Sequence, residues 1–345
     1  MFRHSCFGRC LVAAGLLASL QIAPVDAALL VYEPFGIGGG PTQYLAGNDS
    51  TGTNVLGGQN PTSTPTPFYA GGWIQSGGDA QAVWDVGSLA YPLFPNSGGL
   101  VSDSVQFSCC SFGRNGREIA GGLGGGPDRR TIYQSFLVDF GNQGTDDPTQ
   151  FGKRGYEMWN GGVGDSFLAV DLFVNHFSGV NELTLAVTTP SGTESQLVNG
   201  GGLTLDALAG VHLVVLKFEF NPANPAGPTP TDDDRVTMYL DITSSIEGNF
   251  TPAAEIAVDA SDLFISHHGA LANFTFSGGG HCPGKFDEVR WGDTFADVTP
   301  FQNSNGNPGN TACNVNPPTE VPEPGSLSLL ALVVVGLTLA RRRKA

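Results

Sequence analysis

Charged residues are scarce in this chain, and basic residues are scarcer than acidic ones. Only 14% of the 345 residues are charged, and 16 Lys and Arg face 32 Asp and Glu, which gives a formal net charge of −16 at pH 7. A surface of this sign repels phosphate groups, so the composition disfavours binding to nucleic acid or to anionic lipid headgroups. Calcium is the cation that such a surface could attract weakly, although a solvated acidic surface is the simpler interpretation.

Several strings typical of enzymes and metal sites are also missing. The sequence has no Gly-x-Ser-x-Gly string, no Walker loop and no dinucleotide-binding glycine string between a strand and a helix. A zinc site has little support, because neither the His267-His268 pair nor His281 beside Cys282 is accompanied by Cys-x-x-Cys or His-x-x-x-His spacing. The sequence therefore predicts no cofactor.

Segments with helical periodicity are scarce, whereas 49 of the 345 residues are Gly, about twice the usual share. This composition predicts many short strands joined by glycine turns. The strand candidates are β-branched and aromatic, and they span residues 29–32, 131–140, 167–173, 182–187, 211–220, 235–241, 263–267 and 286–291.

Loops rich in glycine and proline separate these candidates, at residues 36–66, 121–128, 141–155 and 221–234. No internal repeat is visible, so residues 28–300 are predicted to form one large antiparallel β-sandwich, an all-β fold, rather than several small modules. Residues 301–320, rich in Asn, Pro and Gly, are predicted to be a flexible linker.

The N-terminus is typical of a signal peptide over residues 1–27. Arg3 and Arg9 give a basic start, residues 11–20 are apolar, and Val25-Asp26-Ala27 offers compact residues to a signal peptidase. The mature chain is expected to begin at Ala28. A lipoprotein is disfavoured because the two cysteines of this region precede the apolar run.

The C-terminus has three parts in order. The first is a box made of Val321, Pro322, Glu323, Pro324 and Gly325. The second is an apolar run over residues 326–340, which is shorter than the roughly 20 residues that a membrane helix needs. The third is the basic end Arg341, Arg342, Arg343 and Lys344, which favours the cytoplasmic side and so holds the body outside. The prolines keep Glu323 extended and accessible to a protease.

This tail resembles a PEP-CTERM sorting signal. The resemblance covers residues 321–345, and it implies cleavage near the box by an exosortase-type transpeptidase in a bacterium that makes extracellular polysaccharide. It also implies that the body is released or transferred to the cell surface after a transient stay in the membrane. An ordinary single-pass anchor is the alternative, for which the apolar run is short.

The exported body is more acidic than the whole chain and keeps four cysteines. From residue 28 to the end of the box it contains 10 basic and 31 acidic residues, a net charge of about −21. Cys109, Cys110, Cys282 and Cys313 allow three disulfide connectivities in an oxidising compartment. Adjacent cysteines bond to each other only with strain, so Cys282 with Cys313 is the favoured pair.

The body resembles secreted bacterial proteins with a concanavalin A-like, laminin-G-like jelly roll. Three strings carry the resemblance: residues 30–35 (LVYEPF), the Gly71-Gly72-Trp73 string, and residues 286–300 (FDEVRWGDTFADVTP). The resemblance implies that the first and last strands pair side by side, and that the strand at 211–220 pairs with the one at 234–240. The same sandwich carries lectins, glycosidases and inert modules, so it does not decide function.

Catalytic carboxylates are not evident. Glucanase relatives of this fold carry them on one strand as Glu-x-Asp-x-x-Glu, and the chain has no such string. Glu157 has no carboxylate partner two or three residues away. Asp287 and Glu288 are adjacent, so a strand points them to opposite faces, and they are interpreted as a polar strand end or an ion pair with Arg290. The Asp232-Asp233-Asp234 run is interpreted as a solvated turn. No enzyme is predicted.

Three aromatic residues near glycine loops, Trp73, Tyr156 and Trp159, are candidates for stacking on sugar rings, and burial in the core is the alternative for each. The chain is thus expected to be an exported surface or matrix protein that binds carbohydrate without catalysis. Its expected partners are an exosortase-type enzyme, extracellular polysaccharide and, before processing, the membrane. A diverged glycoside hydrolase or lyase and a purely structural envelope component are the alternatives.

Overall fold

The computed structural model describes residues 29–33, 35, 68–76, 82–85, 89–92, 94, 104–107, 114–124, 130–140, 152–161, 168–177, 180–201, 203, 208, 210–220, 234–258, 263–269, 272–275 and 285–301. The chain divides into two compact units, Met1–Ala312 and Cys313–Ala345. The second unit contains the sorting box and the basic end, which lie outside the described residues, as do all six cysteines. Within the described part, no helix is long and apolar enough to cross a membrane.

Strands dominate the described residues. They are β1 (Leu29–Glu33), β2 (Tyr69–Ser76), β3 (Ala82–Asp85), β4 (Ser104–Phe107), β5 (Arg114–Gly124), β6 (Arg130–Asp139), β7 (Gly152–Trp159), β8 (Leu168–Phe177), β9 (Val180–Thr189), β10 (Gly192–Leu197), β11 (Val211–Phe220), β12 (Asp234–Leu240), β13 (Ala254–Val258), β14 (Phe264–Gly269), β15 (Ala272–Thr275) and β16 (Lys285–Gly292). Two short 3-10 turns, Val198–Gly200 and Glu247–Asn249, and the short helix α1 (Phe295–Val298) accompany them.

The strands form two antiparallel sheets. The first sheet has the order β13-β12-β11-β6-β16-β4-β3, with β1 added beside β16, and the second has the order β10-β9-β8-β7-β14-β5-β2, with β15 added beside β7. The fold is therefore an all-β sandwich of the jelly-roll type, as the sequence predicts.

The first and last strands of the sandwich are neighbours. Val31, Tyr32 and Glu33 of β1 lie opposite Trp291, Arg290 and Val289 of β16 in an antiparallel register. Strand β11 likewise pairs with β12 over six residue pairs. Both pairings implied by the jelly-roll resemblance are confirmed.

The main core lies between the two sheets. Its residues alternate along the strands, as in β11, where Val214, Leu216, Phe218 and Phe220 all belong to it. Aromatic rings fill much of the space: Phe218 stacks on Trp291 at a centroid distance of 6.0 Å. Burial of apolar side chains is the main force that holds the sheets together.

A second, smaller core covers the outer face of the first sheet. It joins the outward residues of β6, β11 and β12 to α1 and to the segments around it, and consists of Leu89, Phe94, Tyr133, Leu137, Leu213, Val215, Tyr239, Ile242, Phe295, Val298 and Phe301. A capping box fixes the start of α1, where the Thr294 side chain accepts from Asp297 N and the Asp297 carboxylate accepts from Thr294 N at 2.9 Å. Because Phe301 is buried here, the packed part of the chain continues one residue beyond 300.

Glu247 ties a loop to this same face. Its carboxylate accepts hydrogen bonds from Tyr239 Oη at 2.6 Å and Tyr133 Oη at 2.9 Å, and it lies 3.1 Å from Lys217 Nζ. Burial alone would raise the pKa of Glu247, but these donors lower it. With the outer face of the first sheet occupied in this way, the outer face of the second sheet becomes the one to consider for ligands.

All eight predicted strands are present, but two loop predictions are wrong. Gly121–Gly124, predicted as part of a loop, belongs to β5, and residues 152–155 begin β7. Three of these β5 glycines have positive φ values, 75° at Gly121, 68° at Gly122 and 75° at Gly124. Glycine adopts such angles without a steric penalty, so a strand can contain them where a side chain would be strained.

Candidate functional site

Charged side chains lie on the outer face of the second sheet. Tyr156 and Met158 of β7 belong to the main core, and so do Val170 and Leu172 of β8. Since side chains alternate between the faces of a strand, Glu157 and Asp171 project from the opposite face.

The register places these two carboxylates side by side. Glu157 lies directly opposite Asp171 in the β7–β8 pair, a position in which Cβ atoms are about 4.5–5.5 Å apart. Glu157 is only 3% exposed and Asp171 only 4%. An outward face of an antiparallel sheet is ordinarily wetted, so two carboxylates buried side by side on it are unusual. This pair is therefore our candidate for a functional site.

Trp159 and His267 extend the same face. His267 of β14 lies opposite Trp159 on one side and opposite Glu118 of β5 on the other. The Trp159 ring lies against Gly269: a Cβ at Gly269 would stand 2.0 Å from Cη2 and 2.2 Å from Cζ3 of the indole. Only glycine leaves room for the ring there. We call Glu118, Glu157, Trp159, Asp171 and His267 the outer-face patch.

Ser266 fixes the geometry of β14 beside the patch. Its hydroxyl lies 3.0 Å from the Trp159 carbonyl oxygen, 2.8 Å from His267 Nδ1, and accepts from Gly161 N at 2.8 Å. The ladder between β14 and β5 is irregular at this point, between Ile265 and His267. Such an irregularity changes the face of the sheet to which the following side chains point, and here it places His267 on the outer face.

The patch borders a part of the face that is open to solvent. Glu118 and Ala120 of β5 and Ala70 of β2 are exposed, and Ile74 is 43% exposed. The exposed part of this face therefore lies on the β2–β5 side of the patch, whereas the carboxylates themselves are buried.

A buried polar layer supports the patch from inside the sandwich. His268, which follows His267, stacks on Tyr69 at 4.9 Å, and its Nδ1 lies 3.0 Å from Tyr156 Oη. Burial, with the nearby Arg117 guanidinium, lowers the pKa of His268 well below its usual value. The imidazole is therefore neutral at pH 7, as a side chain in the interior should be.

Two of the three predicted sugar-stacking residues are core residues. Trp73 is 2% exposed and donates its indole N–H to Glu33 Oε1 at 3.3 Å, and Tyr156 is 1% exposed and stacks on Phe136 at 4.3 Å. Their rings present no face to solvent, so both residues lie in the core, which is the alternative given for them in the sequence analysis. Trp159 lies on the outer face but is 0% exposed, so it too offers no free ring face in this structure.

The other carboxylates named from the sequence form ion pairs or hydrogen bonds within the fold. Glu288 pairs with Arg290 at 3.0 Å and accepts from Tyr32 Oη at 2.7 Å, which confirms the predicted ion pair. Asp287 accepts from the Leu89 backbone N–H at 3.0 Å. Asp234 is 0% exposed and accepts from Leu263 N at 3.0 Å, so the prediction of a solvated turn is wrong at this residue.

Sequence reasoning found Glu157 but missed Asp171, His267 and Glu118 as its neighbours. Asp171 carried a usable signal, because it is the one charged residue in the apolar string from Leu168 to Phe173. His267 was considered only as a zinc ligand. Within the described residues, no group of three or more His, Cys, Asp and Glu is placed to hold a metal ion.

Comparison with known proteins identifies the tail. Residues 320–344 match the PEP-CTERM protein-sorting motif, a signal of exported proteins that an exosortase processes after a transient stay at the membrane. The sequence matches no curated protein.

Several solved structures resemble the body. They include an endo-β-1,4-glucuronan lyase from Trichoderma reesei (12% identity, 80% of this chain and 100% of that chain, TM-score 0.40). An endo-1,3-β-glucanase from Streptomyces sioyaensis has 11% identity over 78% of this chain and 97% of its own, with a TM-score of 0.36. A legume lectin-like domain from Entamoeba histolytica has 9% identity over 64% of this chain and 88% of its own, also with a TM-score of 0.36. At these values the assignment of the fold rests on the two sheets described above.

Proposed function

We propose that this chain is an exported surface or matrix protein that binds extracellular carbohydrate on the outer face of its second sheet, without catalysis. The observation that carries the proposal is the outer-face patch, where carboxylates, an imidazole and an indole gather on one face of a sheet whose other face is core. Carboxylate oxygens accept hydrogen bonds from sugar hydroxyls, and indole and imidazole N–H groups donate to sugar oxygens.

The sorting signal supports a matrix role for this binding. The tail directs the chain to export, and the first sheet already has its outer face occupied by the second core. The outer face of the second sheet is then the face on which a polymer chain can lie, beside the exposed Glu118. For binding, the carboxylates need only accept hydrogen bonds through their oxygens. Catalysis would also require one of them to hold a proton at neutral pH.

Binding to polysaccharides tests the proposal. The full-length chain, held in a non-ionic detergent without a sugar headgroup, is passed over a panel of immobilised glycans, and the flow-through is assayed for released sugars. We expect retention on at least one glycan and no release. The variants Glu157→Gln and Asp171→Asn should lose retention, whereas Glu255→Gln, at a 47% exposed side chain on the first sheet, should keep it. Retention that survives both patch substitutions in a folded protein would refute this location.

A glycoside hydrolase is the second candidate, and the Glu157–Asp171 pair is the specific observation that favours it. A glycosidase uses two carboxyl groups on either side of the scissile bond, one to protonate the leaving oxygen and one to attack the anomeric carbon or to activate water. Release of reducing sugars, abolished by both Glu157→Gln and Asp171→Asn, would establish this function in place of the binding role.

A further inference from the structure

A pocket of about 150 Å³ lies where one edge of the first sheet meets one edge of the second. It is lined by Thr189, Ser191, Gly192, Glu194, Ala257 and Val258. These residues come from the hairpin of β9 and β10, at the edge of the second sheet, and from β13, at the edge of the first. The pocket is therefore separate from the outer-face patch, whose residues belong to β5, β7, β8 and β14.

Strand β10 directs Glu194 towards this pocket. Glu194 lies opposite Val187 of β9, which is a residue of the main core. Directly opposite residues of an antiparallel pair project to the same face, so the Glu194 side chain points towards the first sheet. Two residues further along β10, Gln196 points the same way, and its Oε1 accepts a hydrogen bond from Glu255 N of β13 at 2.7 Å.

Strand β13 directs a backbone donor and a backbone acceptor to the same pocket. The N–H group of Glu255 points to Gln196 and hence away from β12. Backbone groups alternate between the two edges of an antiparallel strand, so the N–H and C=O groups of Ala257, two residues further on, point to this edge as well. Ala257 and Glu194 both line the pocket, which thus combines a carboxylate with a backbone N–H and C=O.

The chemistry of the pocket selects a class of ligand. The exposed Glu194 carboxylate disfavours an anion. Among the described residues, no group of three or more His, Cys, Asp and Glu is placed to hold a metal ion. An extended peptide finds too little strand edge, because Gln196 occupies the N–H of Glu255 and only Ala257 remains on this edge of β13.

The size of the pocket limits the ligand to one small ring. Its volume of about 150 Å³ is below the roughly 300–1,000 Å³ of a pocket for a drug-sized molecule. A molecule of this size that both donates to a carboxylate and accepts from a backbone N–H needs neighbouring groups of both kinds. Hydroxyl groups on adjacent ring carbons have this property, since each one donates and accepts.

We propose that this pocket binds a single neutral sugar ring, as a second saccharide site that does not depend on the outer-face patch. One hydroxyl of the sugar donates to the Glu194 carboxylate, a charge-assisted hydrogen bond of the stronger kind. The adjacent hydroxyl accepts from the Ala257 N–H group. The Thr189 hydroxyl, at the end of β9, lines the pocket beside them and can bond a third sugar oxygen.

Saturation-transfer NMR of the full-length chain, in a non-ionic detergent without a sugar headgroup, tests the proposal. The probes are methyl β-glucoside, methyl β-galactoside, methyl α-mannoside and methyl β-glucuronide. We expect at least one neutral glycoside to bind with a millimolar dissociation constant, as suits one ring held by a few hydrogen bonds. The glucuronide should bind at least about tenfold more weakly, because its carboxylate meets Glu194. No binding of any neutral glycoside, or equal binding of the glucuronide, would overturn the proposal.

Two variants remove the two groups that hold the sugar. Glu194→Ala should weaken binding by about tenfold or more, because it deletes the charged acceptor at an exposed position. Ala257→Pro deletes the N–H group that faces the pocket and should cause a similar loss. An edge strand tolerates proline where the lost N–H group faces away from the ladder. Ala257→Ser keeps the N–H group and should bind as the unchanged chain does.

Glu118→Gln, in the outer-face patch, is the control for general acidity and should leave the affinity unchanged. A loss for Glu118→Gln equal to that for Glu194→Ala would assign the binding to net charge or to the patch and overturn the pocket. Near-ultraviolet circular dichroism checks that each variant is packed. If Ala257→Pro does not fold, the comparison of Glu194→Ala with Glu118→Gln decides alone.

The result can be separated from the binding of a polymer on the outer face. A millimolar affinity for one ring is too weak to retain the chain on an immobilised glycan, which is the measurement for the patch. Retention on a glycan without binding of any methyl glycoside would overturn the pocket and leave the proposed function standing. Binding of a methyl glycoside that depends on Glu194, without retention, would support the pocket and count against the patch.

Discussion

Arg117 and Glu33 form an ion pair inside the sandwich. Arg117 Nη1 lies 3.0 Å from Glu33 Oε1, with side-chain exposures of 2% and 1%. The guanidinium also donates from Nε to the Gly71 carbonyl at 2.8 Å and lies 4.2 Å from the centre of the Tyr69 ring. These contacts join β1, β2 and β5, so one arginine links the edge of the first sheet to the second.

Substitution of Arg117 by Met should therefore destabilise the fold strongly. The change removes the guanidinium that lies 3.0 Å from the buried Glu33 carboxylate, and removal of one partner from a buried ion pair typically costs about 3–5 kcal/mol. The free energy of unfolding in urea measures the loss. The control is Arg235→Met, in an exposed pair with Glu255 at 3.7 Å, where the expected loss is below about 1 kcal/mol. Similar losses for the two variants would contradict a special role for the buried pair.

His212 and Asp241 form a pair whose strength depends on pH. His212 Nδ1 lies 2.8 Å from Asp241 Oδ2, and Asp241 Oδ1 accepts from Leu213 N at 3.1 Å. The hydrogen bond to Asp241 is the main reason why the pKa of His212 is raised, against the opposing effect of burial. A raised pKa means that the stabilisation is fully present below the unfolded-state pKa of about 6.5 and is lost as pH rises through the folded-state pKa.

The variant Asp241→Asn tests this pH dependence. Asp241 has a φ of 53°, which Asn tolerates well, so the turn should persist while the charge is lost. We expect the pKa of His212 to fall, and the loss of unfolding free energy to be larger at about pH 5.5 than at about pH 8.5. NMR titration of the imidazole and urea unfolding at both pH values are the measurements. A loss that grows with pH would contradict the assignment.

Strand β5 shows, at the scale of the element, that glycine can be required inside a sheet. At Gly124 the φ is 75°, and a Cβ would stand 2.3 Å from the Leu263 carbonyl oxygen and 2.4 Å from Cδ1 of Phe220. The backbone of β5 thus approaches both the start of β14 and a ring from β11 on the first sheet. A side chain at this position would push the two sheets apart.

Gly124→Ala is accordingly expected to destabilise the protein by about 1–3 kcal/mol, through overpacking and a strained φ. Gly248→Ala is the matched control, because no atom lies within 4 Å of its Cβ position and its φ is not in the positive range. Thermal and urea unfolding of the two variants, followed by circular dichroism, make the comparison. Equal stability of the two variants would show that β5 relaxes around the added methyl group.

Strands β11 and β5 show which parts of the fold can be predicted from the sequence. Strand β11 was predicted to the residue because its apolar and β-branched side chains mark a buried strand. Gly121–Gly124 was missed because a strand of glycines carries no side-chain pattern. The site was harder still: Glu157 and Asp171 are 14 positions apart, and only the register of β7 and β8 makes them neighbours. A register depends on the turn between two strands as well as on their hydrophobic faces.

The net charge acts on the whole molecule. A formal charge of −16 makes the compact state repel itself, since folding brings the carboxylates closer together. We expect the urea midpoint at pH 7 to rise when NaCl is increased from about 20 to about 500 mM, because salt screens this repulsion. The control is the same series at the sequence pI of about 4.5, where the net charge is near zero and the effect should disappear. A rise of equal size at both pH values would attribute the effect to general salt-induced burial instead.

The pairing of β1 with β16 determines when the first sheet can be completed during synthesis of the chain. Leu29–Glu33 leaves the ribosome early, while its partner Lys285–Gly292 comes close to the end of the sandwich. At roughly 5–20 residues per second, the first strand waits on the order of ten to fifty seconds for its partner. During this interval the chain cannot form the β1–β16 pair, so the first sheet stays incomplete. The first sheet of the sandwich can therefore be completed only after nearly all the other strands have been synthesised.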